Sequence, residues 1–263
     1  MDRRYLIGLL VALIAIGIGL FALTTVWSPQ TTPPGSTQTY PAGTGPDHVN
    51  FSALEAEDTN VSHTPRTYWD SYAIVYTAPP DRRLVEGDYY IRSSTGEILA
   101  KRWHNATAYR NGTTYAFVQP ADSIPEHQRE QFASDPQFAY DNTTDAYYRY
   151  DPHYGQIAPT NIGRHPDILD AYTWTATNTT THHGIPVITY RVSGERATAA
   201  DVPPPINGTL RLGLEDGIVY AFDLTLDADE RDYRYTYDVH PAPFPDHSWV
   251  DTARAVASAN KSS

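Results

Sequence analysis

From Tyr68 onward, apolar and polar residues alternate with a period of two, in short runs separated by glycine turns. This is the pattern of strands with one covered face. The clearest run is 217–226. Ile218, Tyr220, Phe222, Leu224 and Leu226 fall on one side, with Asp223 and Thr225 on the other. Just before it Leu210, Leu212 and Leu214 alternate with Thr209, Arg211 and Glu215. Asp216-Gly217 between the two runs predicts a two-residue hairpin turn, because such turns need positive φ. After it Tyr233, Tyr235 and Tyr237 alternate with Arg234, Thr236 and Asp238, which extends the pair to a three-strand meander.

The same signal recurs upstream. Runs at 89–92 and 98–103 flank Thr95-Gly96, runs at 109–110 and 113–118 flank Asn111-Gly112, and runs at 171–177 and 186–193 flank His183-Gly184. Residues 71–77 and 145–150 read as further strands, about ten in all, mostly sequential neighbours. Helices are few. Ser52 with Glu55 has the capping-box spacing. Residues 123–134 read as helical with Pro125 in the first turn, and 166–170 as a single turn. A closing helix is expected over 246–259, capped by Asp246 or Ser248, with Trp249, Ala253, Val256 and Ala257 along one side. The expected fold class is mainly β (α+β), a curved antiparallel sheet or open half-barrel with a few short helices.

The first residues follow a different pattern. Asp2-Arg3-Arg4 precedes an uncharged apolar run from Tyr5 to Trp27, long enough as a helix to span the roughly 30 Å hydrocarbon core. Arg3 and Arg4 mark the cytoplasmic end, so the run is expected to be a transmembrane anchor that places the remainder outside the cytoplasm. A cleaved signal peptide is the alternative. Against it, its apolar region is normally about 7–15 residues, and the exit from Phe21 to Trp27 offers only a poor cleavage site. Residues 28–49 are rich in Pro, Thr, Gly and Ser and read as a semi-extended linker. The remaining boundaries are a β domain over 50–250 and a helix end and tail over 251–263.

Eight of the nine asparagines begin an N-glycosylation sequon: Asn50, Asn60, Asn105, Asn111, Asn142, Asn178, Asn207 and Asn260. Ser and Thr make up about 17% of the chain, so chance would place only one or two there. That density agrees with the extracytoplasmic topology, and glycans require these asparagines on exposed loops or strand ends.

The formal charge of −12 excludes a nucleic-acid partner, since phosphate binding needs a basic surface. It suits a protein that stays soluble in concentrated salt. With no cysteine there is no disulfide, no thiolate chemistry and no lipid-modified cysteine. No phosphate loop, nucleophile elbow or zincin motif is present, so no catalytic residue, cofactor or metal is expected. His182-His183 in a turn reads as solvent-exposed rather than ligating. The acidic run 227–232 imitates a calcium loop but has Arg231 at the fifth position and no glycine at the sixth.

The C-terminal third carries a resemblance. Residues 189–194 (TYRVSG), 208–212 (GTLRL), 216–219 (DGIV), the tyrosine-rich strand to Tyr237, and Pro245 and Trp249 follow one another in an order that resembles LolA-like surface proteins of halophilic archaea. That resemblance implies a half-open barrel related to lipoprotein carriers, whose concave face holds acyl chains. Trp174, Ile188, Tyr190, Val192, Leu212, Tyr220 and Phe222 are then expected to line a cavity, with lipid or a lipidated protein as partner. A cell-envelope structural or interaction protein with a solid core is the alternative. Many members of that group look like lipoproteins with a lipid-modified N-terminal cysteine, which this chain lacks, so the N-terminal anchor would replace it.

Overall fold

The computed structural model describes residues 38–57, 68–77, 87–101, 105–153, 166–196, 202–228 and 232–260, all within the compact unit Pro33–Ser263. The expected anchor at Tyr5–Trp27 and the sequon at Asn60 lie outside the described residues. Among those described, no helix is long and apolar enough to cross a membrane.

The strands expected from alternation are present, together with several that alternation does not announce. They are β1 (Thr44–Gly45), β2 (His48–Val49), β3 (Ser71–Thr77), β4 (Gly87–Arg92), β5 (Ile98–Lys101), β6 (Thr107–Asn111) and β7 (Thr114–Pro120). Then come β8 (Ala139–Asp141), β9 (Ala146–Asp151), β10 (Tyr172–His182), β11 (Ile185–Glu195), β12 (Pro205–Gly213), β13 (Val219–Leu226) and β14 (Tyr233–Pro241). Helices are α1 (Phe51–Glu57), α2 (Glu126–Ser134), α3 (Pro166–Asp170) and α4 (Trp249–Asn260). Residues 44–49 fall in the stretch expected to be linker. They form instead a small hairpin, β1–β2, beside the β10 edge, where the Ala176 amide donates to the Pro46 carbonyl at 2.7 Å.

Twelve strands make one antiparallel sheet in the order β10-β11-β12-β13-β14-β3-β4-β5-β6-β7-β9-β8. Two meanders, β3–β7 and β10–β14, are joined where the last strand pairs with the first, Tyr237 opposite Tyr76 and Val239 opposite Ile74. The sheet is mainly β, curved and open, since β10 and β8 are its two edges. Its bend is visible in one contact. β10 and β14 are four strand steps apart, roughly 19 Å in a flat sheet. Yet a ring nitrogen of His182, on β10, lies 2.8 Å from the Val239 carbonyl on β14. The tip of the β10–β11 hairpin therefore folds over onto β14.

Local chemistry explains the details. His183 (φ 48) and Gly184 (φ 91) form a two-residue turn closed by the His182–Ile185 pair, as the alternation predicts. The Asp216-Gly217 turn differs from expectation. It spans 214–218, closed by the Gly213 amide on the Ile218 carbonyl at 2.8 Å. Asp216 accounts for the longer loop: its carboxylate accepts from the Ile218 amide at 3.0 Å and from the Tyr220 hydroxyl at 2.6 Å. The α1 cap is Asn50 rather than Ser52, with the Asn50 side-chain oxygen accepting from the Ala53 amide at 3.1 Å. Pro125 stands at the N-cap of α2, outside the helix proper.

Two hydrophobic clusters hold the sheet. The larger gathers residues of β3–β7 and β10–β14 with Val49, Phe51 and Leu169. The smaller joins Tyr109, Ala116, Ala146 and Tyr148 to Val250 and Ala253 of α4, with Trp249 and Val256 packed alongside. The side of α4 expected to be apolar is the one that docks, with Val250 added to it. The closing helix, expected over 246–259, runs from Trp249 to Asn260.

Candidate functional site

The residues expected to line a cavity come together in the larger cluster, and register shows how. Ala176, Tyr190, Leu210, Phe222, Tyr237 and Tyr76 are successive cross-strand partners on β10, β11, β12, β13, β14 and β3. Residues directly opposite each other share a face. Ile188 opposite Leu212 makes a parallel row, and Trp174 faces Val192. Gly208 lies between Val192 and Leu224. A Cβ there would meet Leu224 Cδ1 at 2.8 Å and Val192 Cγ1 at 3.1 Å, so the two side chains pack across a space that only glycine leaves. Trp174 is fixed further by its indole N–H, which donates to the Leu169 carbonyl at 2.8 Å.

Trp174, Ile188, Tyr190, Leu212 and Tyr220 each have 0% exposure, Phe222 is nearly as buried, and Val192 packs against the cluster from its margin. Burial pushes the phenols of Tyr190, Tyr220 and Tyr237 above their ordinary range, so they stay protonated inside the cluster. Tyr220 is buried as the alternation predicts, but the strand ladder breaks beside it. It stands at a register shift between the Arg211–Ala221 and Leu212–Val219 pairs. Its ring lies 6.3 Å from Trp69 and 6.2 Å from His182.

Tyr220 thereby reaches the fold-over seam, where a polar group collects that sequence spacing does not announce. His182 is buried rather than exposed, while His183 is exposed as expected. A ring nitrogen of His182 (Nε2) lies 3.4 Å from Asp238 Oδ1, and the other (Nδ1) lies 3.1 Å from Arg211 Nη1. His240 Nδ1 is 2.8 Å from Asp238 Oδ2. Ligand atoms of His182, His183 and Asp238 all fall within 4.8 Å of one another. Burial lowers the His182 pKa, more than the Val239 carbonyl and Asp238 raise it, so the imidazole is neutral near pH 7. It therefore donates one N–H, to Val239, and accepts from Arg211.

A second polar group lies beside α4. The Glu97 carboxylate is buried and accepts from Tyr109 Oη at 2.7 Å and Thr95 Oγ1 at 2.9 Å, and it pairs with Arg92. Burial alone would raise its pKa, but these donors and the Arg92 charge hold it below the usual carboxylate value. Tyr109 is pushed up to about 12, by burial first and by Glu97 second. His247 stacks on Tyr109 with ring centroids 5.0 Å apart, so this network ties the approach to α4 onto β5 and β6.

The sequon asparagines occupy the periphery. Asn50, Asn105, Asn111, Asn142, Asn207 and Asn260 are exposed, and Asn178, on β10, is half-buried.

No family model matches the chain, and no curated protein matches it. Among solved structures it is similar to a LolA superfamily protein from Nitrosomonas europaea, at 9% identity and a TM-score of 0.18. The match covers 66% of this chain and 86% of the other. A likeness of that size says nothing of ligand or activity.

Proposed function

We propose that the chain is a membrane-tethered, extracytoplasmic glycoprotein whose β domain is a non-catalytic structural or interaction module of the cell envelope. The observation that supports a solid module is the interior: five large side chains of the apolar face have no accessible surface. A standing acyl-chain cavity leaves its lining accessible to a water-sized probe, and these residues have no such space beside them. Tethering rests on the Tyr5–Trp27 run with Arg3 and Arg4 before it. Glycosylation rests on the sequon density and on the exposure of six of the seven described acceptors. Protease added to intact cells should cut the tyrosine-rich domain, and glycopeptide mass spectrometry should find sugar at Asn105, Asn111, Asn142 and Asn207. A protected domain with bare asparagines would refute both.

One observation favours a second reading, in which the half-barrel takes up lipid or a lipidated protein. The sheet is open, and beside it lie small separate pieces (the β1–β2 hairpin, α1 and α3) whose Val49, Phe51 and Leu169 join the cluster. Displacement of such pieces exposes a continuous apolar row across six strands. Native mass spectrometry and organic extraction of the purified full chain decide between the two. Stoichiometric co-purifying lipid supports uptake; its absence, with no binding of added acyl chains, supports the filled module.

A further inference from the structure

We propose that His182, His183 and Asp238 form a binding site for a divalent transition-metal ion of the zinc class, placed at the seam between the β10–β11 tip and β14. Two imidazoles and a carboxylate are the donors that zinc, nickel and copper favour, whereas magnesium and calcium take all-oxygen shells. The geometry is close to that of a bound site. His182 Nε2 and Asp238 Oδ1 stand 3.4 Å apart. Bonds of about 2.1 Å in a tetrahedral centre set donors roughly 3.4 Å from one another. Ligand atoms, one each from His182, His183 and Asp238, lie within 4.8 Å of one another. His183 stands exposed on the two-residue turn, and a tetrahedral centre requires its side chain to rotate toward the other two ligands. Its exposure also leaves the fourth position open to water.

The surroundings supply the outer shell such sites use. His240 Nδ1 holds Asp238 Oδ2 at 2.8 Å, which orients the carboxylate and leaves Oδ1 for the ion. Arg211 opposes binding. With the ion on Nε2, the ring proton moves to Nδ1, the Val239 carbonyl gives up its present donor, and the exposed Arg211 guanidinium must swing into solvent. An acceptor at position 211 would instead receive the Nδ1 proton. Because the ligands come from strands four steps apart, the site exists only in the folded, bent sheet.

The test uses the full chain without an affinity tag, stripped with chelator in detergent and then titrated with zinc, and with cobalt for its visible absorption. One equivalent of zinc per chain is expected, with visible bands of a four-coordinate cobalt site, and an excess of magnesium should not displace it. His183→Asn keeps the turn, since Asn tolerates positive φ, and should weaken binding at least tenfold, by roughly the 10–100-fold that ligand-shell changes cost. Asp238→Asn should do the same, and Arg211→Gln should tighten binding, all with an unchanged circular dichroism spectrum. Failure to retain an equivalent of zinc, or binding indifferent to both His183→Asn and Asp238→Asn, overturns the site and leaves the seam a hydrogen-bonded latch.

Discussion

Trp174 is the position at which the filled interior is tested most directly. Its side chain has no exposure, and its indole N–H meets the Leu169 carbonyl at 2.8 Å. Trp174→Ala removes the ring and the donor together. Truncation of a buried aromatic costs about 3–5 kcal/mol through lost transfer energy and the cavity left behind. An orphaned carbonyl adds about 1–3 kcal/mol. The expected loss is about 5 kcal/mol, comparable with the whole stability of a marginal domain. Trp174→Phe keeps most of the ring and should lose about 2 kcal/mol, a fall in Tm of roughly 4–8 °C for a domain of this size. The assay is urea unfolding of the full chain in detergent, followed by far-UV circular dichroism so that removal of a fluorophore does not matter. With a urea slope near 2 kcal/mol per molar, Trp174→Ala should lower the midpoint by about 2.5 M or leave the domain unfolded. A loss below about 1 kcal/mol for Trp174→Ala would refute the packing and place a solvated or ligand-sized space beside the ring.

Asp216→Ala removes the acceptor of both the Ile218 amide and the Tyr220 hydroxyl and should cost about 2 kcal/mol; thermal unfolding measures it, and no change would mean that the loop holds itself. Glu97→Gln should destabilise the chain at neutral pH. Because the folded-state pKa lies below the ordinary 4.5, the stability that ionised Glu97 contributes is complete above that value and is lost as pH falls through the lower folded one. The gap in Tm between wild type and Glu97→Gln should therefore close in acid; a gap constant with pH would show that the charge plays no part. Val250→Asp, which sets a charge in the smaller cluster, should undock α4, read as faster proteolysis after Arg254. Among the sequons, Asn178 should be the least occupied, because it is half-buried on β10, and glycopeptide mass spectrometry ranks the sites.

Sequence alone determined the longer strands of the sheet, because side-chain parity is a local property. Ser71–Thr77 is read with its observed limits, and the alternation of Tyr233, Tyr235 and Tyr237 by itself marks the inward side of β14. The His183-Gly184 turn is equally local, since positive φ is decided by the two residues themselves. β8 and the β1–β2 hairpin escape notice because two or three residues carry no period. Only tertiary structure decided that β14 pairs with β3, because strands about 160 residues apart are matched by burial across the whole sheet rather than by any nearby signal. The same holds for the seam. His182 and Asp238 meet because the hairpin tip folds onto a strand four steps away, and no spacing along the chain encodes that bend. Glu97, Tyr109 and His247 likewise come together from the approach to β5, from β6 and from the entry to α4, and burial and shared hydrogen bonds, both three-dimensional quantities, set the protonation of Glu97 and Tyr109.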